Sequence, residues 1–176
     1  MREAPRIETE RLVLRPWRKD DFRPWHAIMQ HPDVHRHFGP QPMGTEEAWR
    51  RLTAAVGGWQ FNGFGTWAVD RKSDGKLVGN VGIFTAWRGL DPEFGDEPEM
   101  GWIFAAETHG QGFAREACNA VIDWTEGNLE PKPLWAIIAP ENEPSLKLAQ
   151  KLGFERIGET LYHDDPTVIL KRPAWG

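Results

Sequence analysis

Two kinds of hydrophobic periodicity divide this chain into elements. Short apolar runs, such as Met100 to Ala106, are typical of strands, whereas apolar residues three or four positions apart, such as Leu148 and Leu152, are typical of helices. Strands are predicted at residues 11–17, 66–70, 77–84, 99–106, 133–139, 154–161 and 167–170, and helices at residues 22–29, 45–56, 114–126 and 144–152. Because hairpins join most of the strands and helices separate the later ones, the pattern predicts a mixed α/β fold with a mostly antiparallel sheet.

A glycine-rich turn lies between the strand at residues 99–106 and the helix that follows it. Residues 108–117 read Thr-His-Gly-Gln-Gly-Phe-Ala-Arg-Glu-Ala. The two glycines leave main-chain N–H groups accessible and permit backbone angles that are closed to other residues. N–H groups at the start of a helix, together with the positive end of its dipole, favour an anion. The turn is therefore a candidate pyrophosphate site.

Other interpretations of this turn stay open. A P-loop requires Lys-Ser or Lys-Thr after its second glycine, where this chain has Phe113-Ala114. A dinucleotide site requires a third glycine and an acidic residue about 20 positions further on, at the end of a strand. Glu130 is near that distance, but it lies in a predicted loop. Neither fingerprint fits well, and an ordinary tight connection between a strand and a helix remains the alternative to an anion site.

Composition narrows the class of protein. The chain has 176 residues, 40% hydrophobic and 27% charged, so we expect one domain over residues 1–176 with a proper core. The net charge of −5 argues against a nucleic-acid partner. The chain has no apolar run of membrane-spanning length and no signal peptide, so we expect no membrane partner and a cytoplasmic location. Cys118 is the single cysteine, and His31, His35 and His37 are not accompanied by a clear helical i, i+4 pair with a carboxylate, so no metal is expected.

Three separated segments resemble the GNAT acyltransferases. Residues 110–117, Gly-Gln-Gly-Phe-Ala-Arg-Glu-Ala, resemble the acyl-CoA-binding motif of that family. Residues 140–145 and the later Lys-Leu-Gly-Phe at 151–154 resemble its second motif, in which asparagine follows a strand and a helix then ends in Leu-Gly-Phe. Residues 8–15, Glu-Thr-Glu-Arg-Leu-Val-Leu-Arg, resemble the N-terminal strand of the RimJ/RimL-like branch, which acetylates ribosomal-protein N-termini. The resemblance implies a single-domain GNAT fold, with a mixed, mostly antiparallel central sheet of about seven strands flanked by helices.

The resemblance also implies which residues hold acetyl-CoA. The main chain of Ile103 and Phe104 is expected to meet the pantetheine amides. The turn is expected to hold the pyrophosphate through Gly110, Gln111, Gly112, Phe113, Ala114 and Arg115. The alternative for Arg115 is a side chain that contacts only solvent. Asn142 is expected to hold the pantetheine, with a helix cap as its alternative role. Ser145 is expected to face the leaving thiolate, because the usual tyrosine position, seven residues after the asparagine, is Ala149 here.

Acetyl transfer to an amine also requires that the amine lose a proton. An α-amine with a pKa of about 8 is partly neutral at pH 7, whereas a lysine with a pKa of about 10.4 is mostly charged. Glu99, at the start of the strand that leads to the turn, is the candidate base, and the resemblance also places a functional glutamate there. Gly101 shares its face of the strand and leaves space beside it. The alternative for Glu99 is a salt bridge at the strand edge. Glu97 and Glu107 are weaker candidates.

Together these expectations describe an acetyl-CoA-dependent N-acetyltransferase. The acceptor would be a primary amine, either a protein N-terminal α-amine or a small-molecule amine, and transfer would be direct, without a covalent enzyme intermediate. The acidic loop at residues 89–98 is either a solvated hairpin tip or an attraction for a cationic substrate. Two alternatives remain on the same sequence: a non-catalytic acyl-CoA-binding or regulatory module, suggested by the missing tyrosine, and a nucleotide-binding module. A homodimer is also left open.

Overall fold

One sheet with helices on both faces forms the frame of the molecule. The computed structural model describes residues 2–176. The sheet has the strand order β1-β2-β3-β4-β5-β6-β8-β7. The strands are β1 (Ile7–Glu8), β2 (Leu12–Arg15), β3 (Thr66–Arg71), β4 (Leu77–Phe84), β5 (Glu99–Phe104), β6 (Leu134–Ile138), β7 (Glu155–Tyr162) and β8 (Asp165–Arg172). The helices are α1 (Phe22–Gln30), α2 (Pro32–His35), α3 (Thr45–Asn62), α4 (Phe113–Asn128) and α5 (Glu143–Lys151).

The predicted mixed and mostly antiparallel sheet is confirmed, with eight strands where about seven were expected. All neighbouring strands are antiparallel except β5 and β6. The added strand, β1, is only two residues long, too short to carry an alternation signal. The prediction for α3 was wrong at its end, because the helix continues past Gly57 and Gly58. It ends where Gly63 adopts a left-handed φ of 75° after Trp59 has reached the core.

The largest buried cluster lies between the sheet and α4. Met100 and Phe104 of β5 point to this side and share the cluster with Val121 and Ile122 of α4. Side chains alternate along a strand, so Glu99, Gly101 and Ile103 of β5 lie on the other face. The sheet face that carries Glu99 is therefore the one opposite α4.

On that opposite face, two smaller clusters position the surrounding elements. Ile103 of β5 packs against the cluster formed by Trp25 and Met29 of α1. The loop at residues 85–98 lies over β6 and β8. There Phe94 stacks on Trp135, with 4.7 Å between the ring centroids. The loop is therefore partly packed down, and it is not simply a solvated hairpin tip.

No helix within residues 2–176 combines the length and the apolar character needed to cross a bilayer.

Candidate active site

A cleft opens between the two parallel strands at the centre of the sheet. On one edge, β5 pairs with β4 through six residue pairs, from Gly79↔Phe104 to Phe84↔Glu99. On its other edge, β5 pairs with β6 only at Glu99↔Trp135. Within the described chain the two strands form no further pair, so they diverge from Glu99 toward Phe104. The main-chain groups on the open edge of β5 remain available to a ligand that can hydrogen-bond like a strand.

The glycine turn closes the wide end of this cleft. Gly110 and Gly112 have left-handed φ values of 74° and 79°, a region that glycine adopts without steric cost. Gly112 is the N-cap of α4 and offers no side chain, so no side-chain oxygen satisfies the first N–H groups of the helix. The turn has the strand–turn–helix geometry that the sequence predicts, and its free N–H groups can bind an anion.

The side chains of the turn leave its main chain as the ligand-binding surface. Phe113 is buried in the core, and Ala114 is partly buried against it. The side chain of Gln111 donates to the carbonyl oxygen of Glu107 at 2.7 Å. Arg115 is exposed and forms no ion pair within residues 2–176, which agrees with its solvated alternative. Any anion held here would therefore meet backbone amides first.

At the end of β5, the carbonyl oxygen of Phe104 already has a partner. It lies 2.9 Å from Nε2 of His109, the residue that precedes the first glycine of the turn. This contact connects the end of the strand to the turn. Phe104 then has its N–H group and one remaining lone pair for a ligand.

The opposite wall of the cleft is the loop between β6 and α5. Oδ1 of Asn142 accepts from the main-chain N–H of Ser145 at 3.2 Å, so the helix-cap role of Asn142 is confirmed. Ser145 is partly buried, and its hydroxyl makes no hydrogen bond to any of the described residues. Ala149 is fully buried in the main core. The hydroxyl of Ser145 is thus free to donate to a ligand, whereas position 149 faces the interior.

Glu99 lies at the narrow end of the cleft in a two-pronged ion pair. It is 3% exposed, and its carboxylate accepts from Nε and Nη2 of Arg88 at 2.6 and 2.7 Å. The salt bridge foreseen as an alternative for Glu99 is therefore present. Burial alone would lower the pKa of Arg88, but the hydrogen bonds and the charge of Glu99 outweigh it, and the pKa is raised. The guanidinium also lies over the ring of Tyr162, 4.8 Å from its centroid.

Neither Arg88, the partner of Glu99, nor Tyr162, which contacts Arg88, was predicted from the sequence to lie at this site. Tyr162 ends β7, where His163 and Asp164 adopt left-handed φ values of 51° and 67° and return the chain into β8. The hairpin brings the tyrosine back to a loop more than seventy residues earlier in the chain. No local pattern predicts such a contact.

The weaker acidic candidates have structural partners. Glu97 accepts from Nε1 of Trp135 at 2.5 Å. Glu107 is exposed and lies 3.5 Å from Nη2 of Arg71. Neither carboxylate is arranged as Glu99 is, at the point where the two strands separate.

Comparisons with known proteins agree with this geometry. The model of the acetyltransferase (GNAT) domain matches residues 11–155. A Bacillus subtilis protein described as "Uncharacterized N-acetyltransferase YoaA" is 25% identical over 155 residues, which cover 88% of this chain and 85% of that protein. An acetyltransferase structure from Agrobacterium tumefaciens str. C58 aligns with a TM-score of 0.81 and 27% identity, covering 96% of this chain and 94% of that one.

A more distant structure shares the fold. The ribosomal-protein-S5-alanine acetyltransferase from Vibrio fischeri aligns with a TM-score of 0.69 and 24% identity over 97% of each chain. Proteins of the GNAT family use acetyl-CoA, and the open strand edge and uncapped helix terminus described above suit that cofactor. The family match covers most of the chain, so this protein belongs to the GNAT acetyltransferase family and is an N-acetyltransferase that uses acetyl-CoA.

Proposed function

We propose that the acceptor is the α-amine of a protein or peptide N-terminus and that the chain belongs to the RimJ/RimL-like branch of the family. Residues 8–15 resemble the N-terminal strand of that branch. The ribosomal-protein-S5-alanine acetyltransferase with the same fold supports the same acceptor class. An α-amine is also the primary amine that needs least help to lose its proton near neutral pH. A small-molecule amine is the other acceptor class to be tested.

The asymmetric pairing of β5 is the observation that carries the proposed placement of acetyl-CoA. One edge of the strand has a full ladder, whereas the other has a single pair at Glu99. From Glu99 to Phe104 the strand spans about 17 Å, at 3.3–3.4 Å per residue. In the proposed complex the turn at Gly110 to Arg115 holds the diphosphate, and the N–H and C=O groups of Phe104 meet the pantetheine amides at the open edge of β5. The main-chain groups of Ile103, which were also expected to do so, face Asn80 of β4 instead, because alternate residues of a strand bond opposite neighbours. The thioester end then lies toward Glu99.

Glu99 is the proposed acceptor of the amine proton, directly or through one water. It lies on the face opposite α4, so an acceptor approaching from that face does not compete with the packed core. Each of its oxygens accepts one hydrogen bond from Arg88 and keeps a second lone pair for the ammonium group or for water. Acetyl-CoA supplies the activated acyl group, and the pair of Arg88 and Glu99 holds the proton-accepting oxygens in place.

Ser145 is the proposed donor to the leaving thiolate. Its main-chain N–H is already used by the cap at Asn142, whereas its hydroxyl is free. The amide nitrogen of Asn142 keeps both of its N–H groups for the pantetheine, because only its oxygen serves the cap. Asn142 is therefore proposed to combine both of the roles expected for it.

The proposed function is tested by binding and by thiol release. Calorimetry first measures binding of acetyl-CoA to the purified chain. Release of free CoA is then followed with a short alanine-first peptide, with the same peptide blocked at its N-terminus and carrying one lysine, and with a polyamine. We expect turnover of the unblocked peptide, with kcat reduced by about a hundredfold in Glu99→Gln, the lower end of general-base contributions. Ser145→Ala should also lower kcat while leaving the affinity for acetyl-CoA unchanged.

Each other outcome has a defined meaning. Turnover of the polyamine alone would replace the α-amine by a small-molecule acceptor. Tight binding of acetyl-CoA without turnover of any amine would favour the non-catalytic module. Unchanged rates in both Glu99→Gln and Ser145→Ala would refute the residue assignment, and failure of the folded chain to bind acetyl-CoA would refute the proposed site.

A further inference from the structure

The side chain of Arg11 reaches the glycine turn from the opposite end of the sequence. Arg11 lies just before β2, yet its Nη1 donates to the carbonyl oxygen of Gln111 at 2.7 Å. Its guanidinium carbon lies 4.4 Å from the centroid of the Phe113 ring. One side chain thus contacts both the carbonyl before Gly112 and the first residue of α4.

Glu116 fixes this arginine from the first turns of α4. Its Oε2 accepts from Nε of Arg11 at 2.7 Å, and its Oε1 accepts from the main-chain N–H of Arg11 at 2.8 Å and from Oγ1 of Thr9 at 2.6 Å. Burial alone would raise the pKa of Glu116, but these hydrogen bonds outweigh it and the pKa is lowered. Both oxygens of the carboxylate are therefore hydrogen-bonded, and its charge is neutralised by Arg11.

The remaining nitrogen of Arg11 is directed at the turn. Nη2 donates to no acceptor within residues 2–176, and a methyl group added to Gly112 would lie 3.4 Å from it. The side chain is 41% exposed, so this face of the guanidinium is accessible to a ligand. A free N–H pair therefore lies beside the main-chain amides that begin α4, and guanidinium groups bind phosphate oxygens strongly.

We infer that Arg11 is part of the diphosphate site, where it holds the glycine turn in its binding conformation and donates from Nη2 to the diphosphate of CoA. This inference rests on the proposed function, in which the turn holds that diphosphate. The same contacts join the segment at residues 8–15 to the segment at residues 110–117, because Thr9 and Arg11 of the first are bonded to Glu116 of the second.

The first test compares two ligands in Arg11→Gln. Calorimetry measures Kd for CoA, and displacement of CoA measures Kd for S-acetylpantetheine, which has the thioester arm but no diphosphate. Loss of one charge-assisted hydrogen bond should raise Kd for CoA about tenfold. Kd for S-acetylpantetheine should stay within about twofold, which corresponds to at most about a third of that free energy. Equal losses for both ligands, or no loss for CoA, would overturn the inference.

Arg6→Gln is the matched control. Arg6 lies just before this N-terminal segment, and within residues 2–176 it pairs only with Glu8, through Nε and Nη2 at 3.1 and 2.9 Å. Its replacement should leave both affinities unchanged. Urea unfolding of each ligand-free variant confirms that binding is measured on folded protein. Arg11→Lys, which keeps the charge, serves if Arg11→Gln does not fold, and it should weaken CoA more than S-acetylpantetheine.

Variants of Glu116 distinguish a role in positioning Arg11 from a purely electrostatic effect on CoA binding. Removing its negative charge near a diphosphate would tighten CoA binding if charge alone mattered. If Glu116 holds Arg11 in place, Glu116→Gln should weaken CoA binding instead. The double variant Arg11→Gln/Glu116→Gln should stay as weak as Arg11→Gln, and recovery of the wild-type Kd would show that Arg11 merely neutralises Glu116.

These outcomes are distinguishable from failure of the proposed function. If the wild-type chain does not bind CoA, the proposed site itself is refuted. If it binds CoA and Arg11→Gln binds equally well, only the role of Arg11 is refuted.

Discussion

Arg88 and Glu99 form a nearly buried ion pair at the point where β5 and β6 separate. The two hydrogen bonds, at 2.6 and 2.7 Å, join the long loop before β5 to the first residue of the strand. Glu99 is 3% exposed, so its carboxylate has little access to bulk water. The same interaction therefore closes the narrow end of the cleft and orients the carboxylate that we propose as the base.

Replacing Arg88 by glutamine should destabilise the protein. A nearly buried carboxylate would lose its cation, and breaking such a pair costs about 3 kcal/mol. Urea unfolding measures the loss. The double variant Arg88→Gln/Glu99→Gln is the control, because it leaves no buried charge without a partner. It should therefore be more stable than Arg88→Gln alone. A loss in Arg88→Gln within about 0.5 kcal/mol, the range of ordinary surface substitutions, would show that the pair is unimportant for stability.

Arg15 should be still more sensitive. It is 5% exposed and binds two carboxylates, with Nη2 at 2.8 Å from Asp21 and Nε at 2.5 Å from Asp70. The pKa of Arg15 is raised, because these two partners outweigh the effect of burial. Arg15→Met leaves two carboxylates without a cation and should cost at least about 3 kcal/mol in urea unfolding.

The control for Arg15 is an exposed arginine. Arg51 pairs with Glu47 one helical turn away, and both side chains are nearly half exposed. Arg51→Met should cost about 0.3–0.5 kcal/mol, as exposed pairs of this spacing do. Equal losses in the two variants would contradict the importance assigned to burial.

The elements of this fold could be predicted because their signals are local. The strands with apolar runs and the helices with three-to-four spacing were recognised within a few residues, and the glycine turn was recognised from its two glycines. The end of α3 was misplaced because Gly57-Gly58 resembles a stop. Because Trp59 packs in the core, the helix continues past these residues and ends at Gly63.

The contacts of the site could not be predicted in the same way. Arg88 contacts Tyr162, and Arg11 contacts Glu116, because the fold brings distant parts of the sequence together. Each pair joins residues that no periodicity relates, and their sequence neighbours are ordinary loop or strand residues. Glu99 and the turn could be predicted as candidates from the sequence, but the partners that orient them depend on strand order.

The hairpin turn between β3 and β4 provides a prediction about pH. The pKa of Asp74 is lowered to about 2, mainly by the hydrogen bonds from Arg71, which outweigh the opposing effect of burial, and further by the N–H of Lys76. Since the folded-state pKa is below the ordinary value of 3.8, the stabilisation is present above about pH 4 and is lost as pH falls toward 2. The stability difference between wild type and Asp74→Asn should therefore shrink over this range.

Carboxyl NMR titration checks the cause of this shift. The resonance of Asp74 should titrate near pH 2 in the wild type and close to its ordinary value in Arg71→Gln. A wild-type titration near pH 3.8 would contradict the structure of the turn.

The thiol of Cys118 should be unreactive toward thiol reagents in the folded protein. It is fully buried in α4, and burial raises the pKa of its thiol. Ellman's reagent should therefore react with it only after unfolding in urea. Cys118→Ala should keep kcat within about twofold and lose about 1 kcal/mol of stability, because direct transfer needs no cysteine nucleophile. Rapid labelling of the native protein, or loss of turnover in this variant, would contradict both the burial and the mechanism.

Replacing Gly112 by alanine should weaken CoA binding. Alanine at a φ of 79° costs about 1 kcal/mol, and its methyl group would also press on Nη2 of Arg11 at 3.4 Å. Gly75 is the control, since its φ is 68° and a methyl group there meets no neighbour. Both alanine variants should lose similar stability in urea, but only Gly112→Ala should weaken CoA binding in calorimetry. If Gly112→Ala bound CoA as the wild type does, the close approach of a diphosphate to this residue would be excluded, because a β-carbon would occupy the space that the ligand needs.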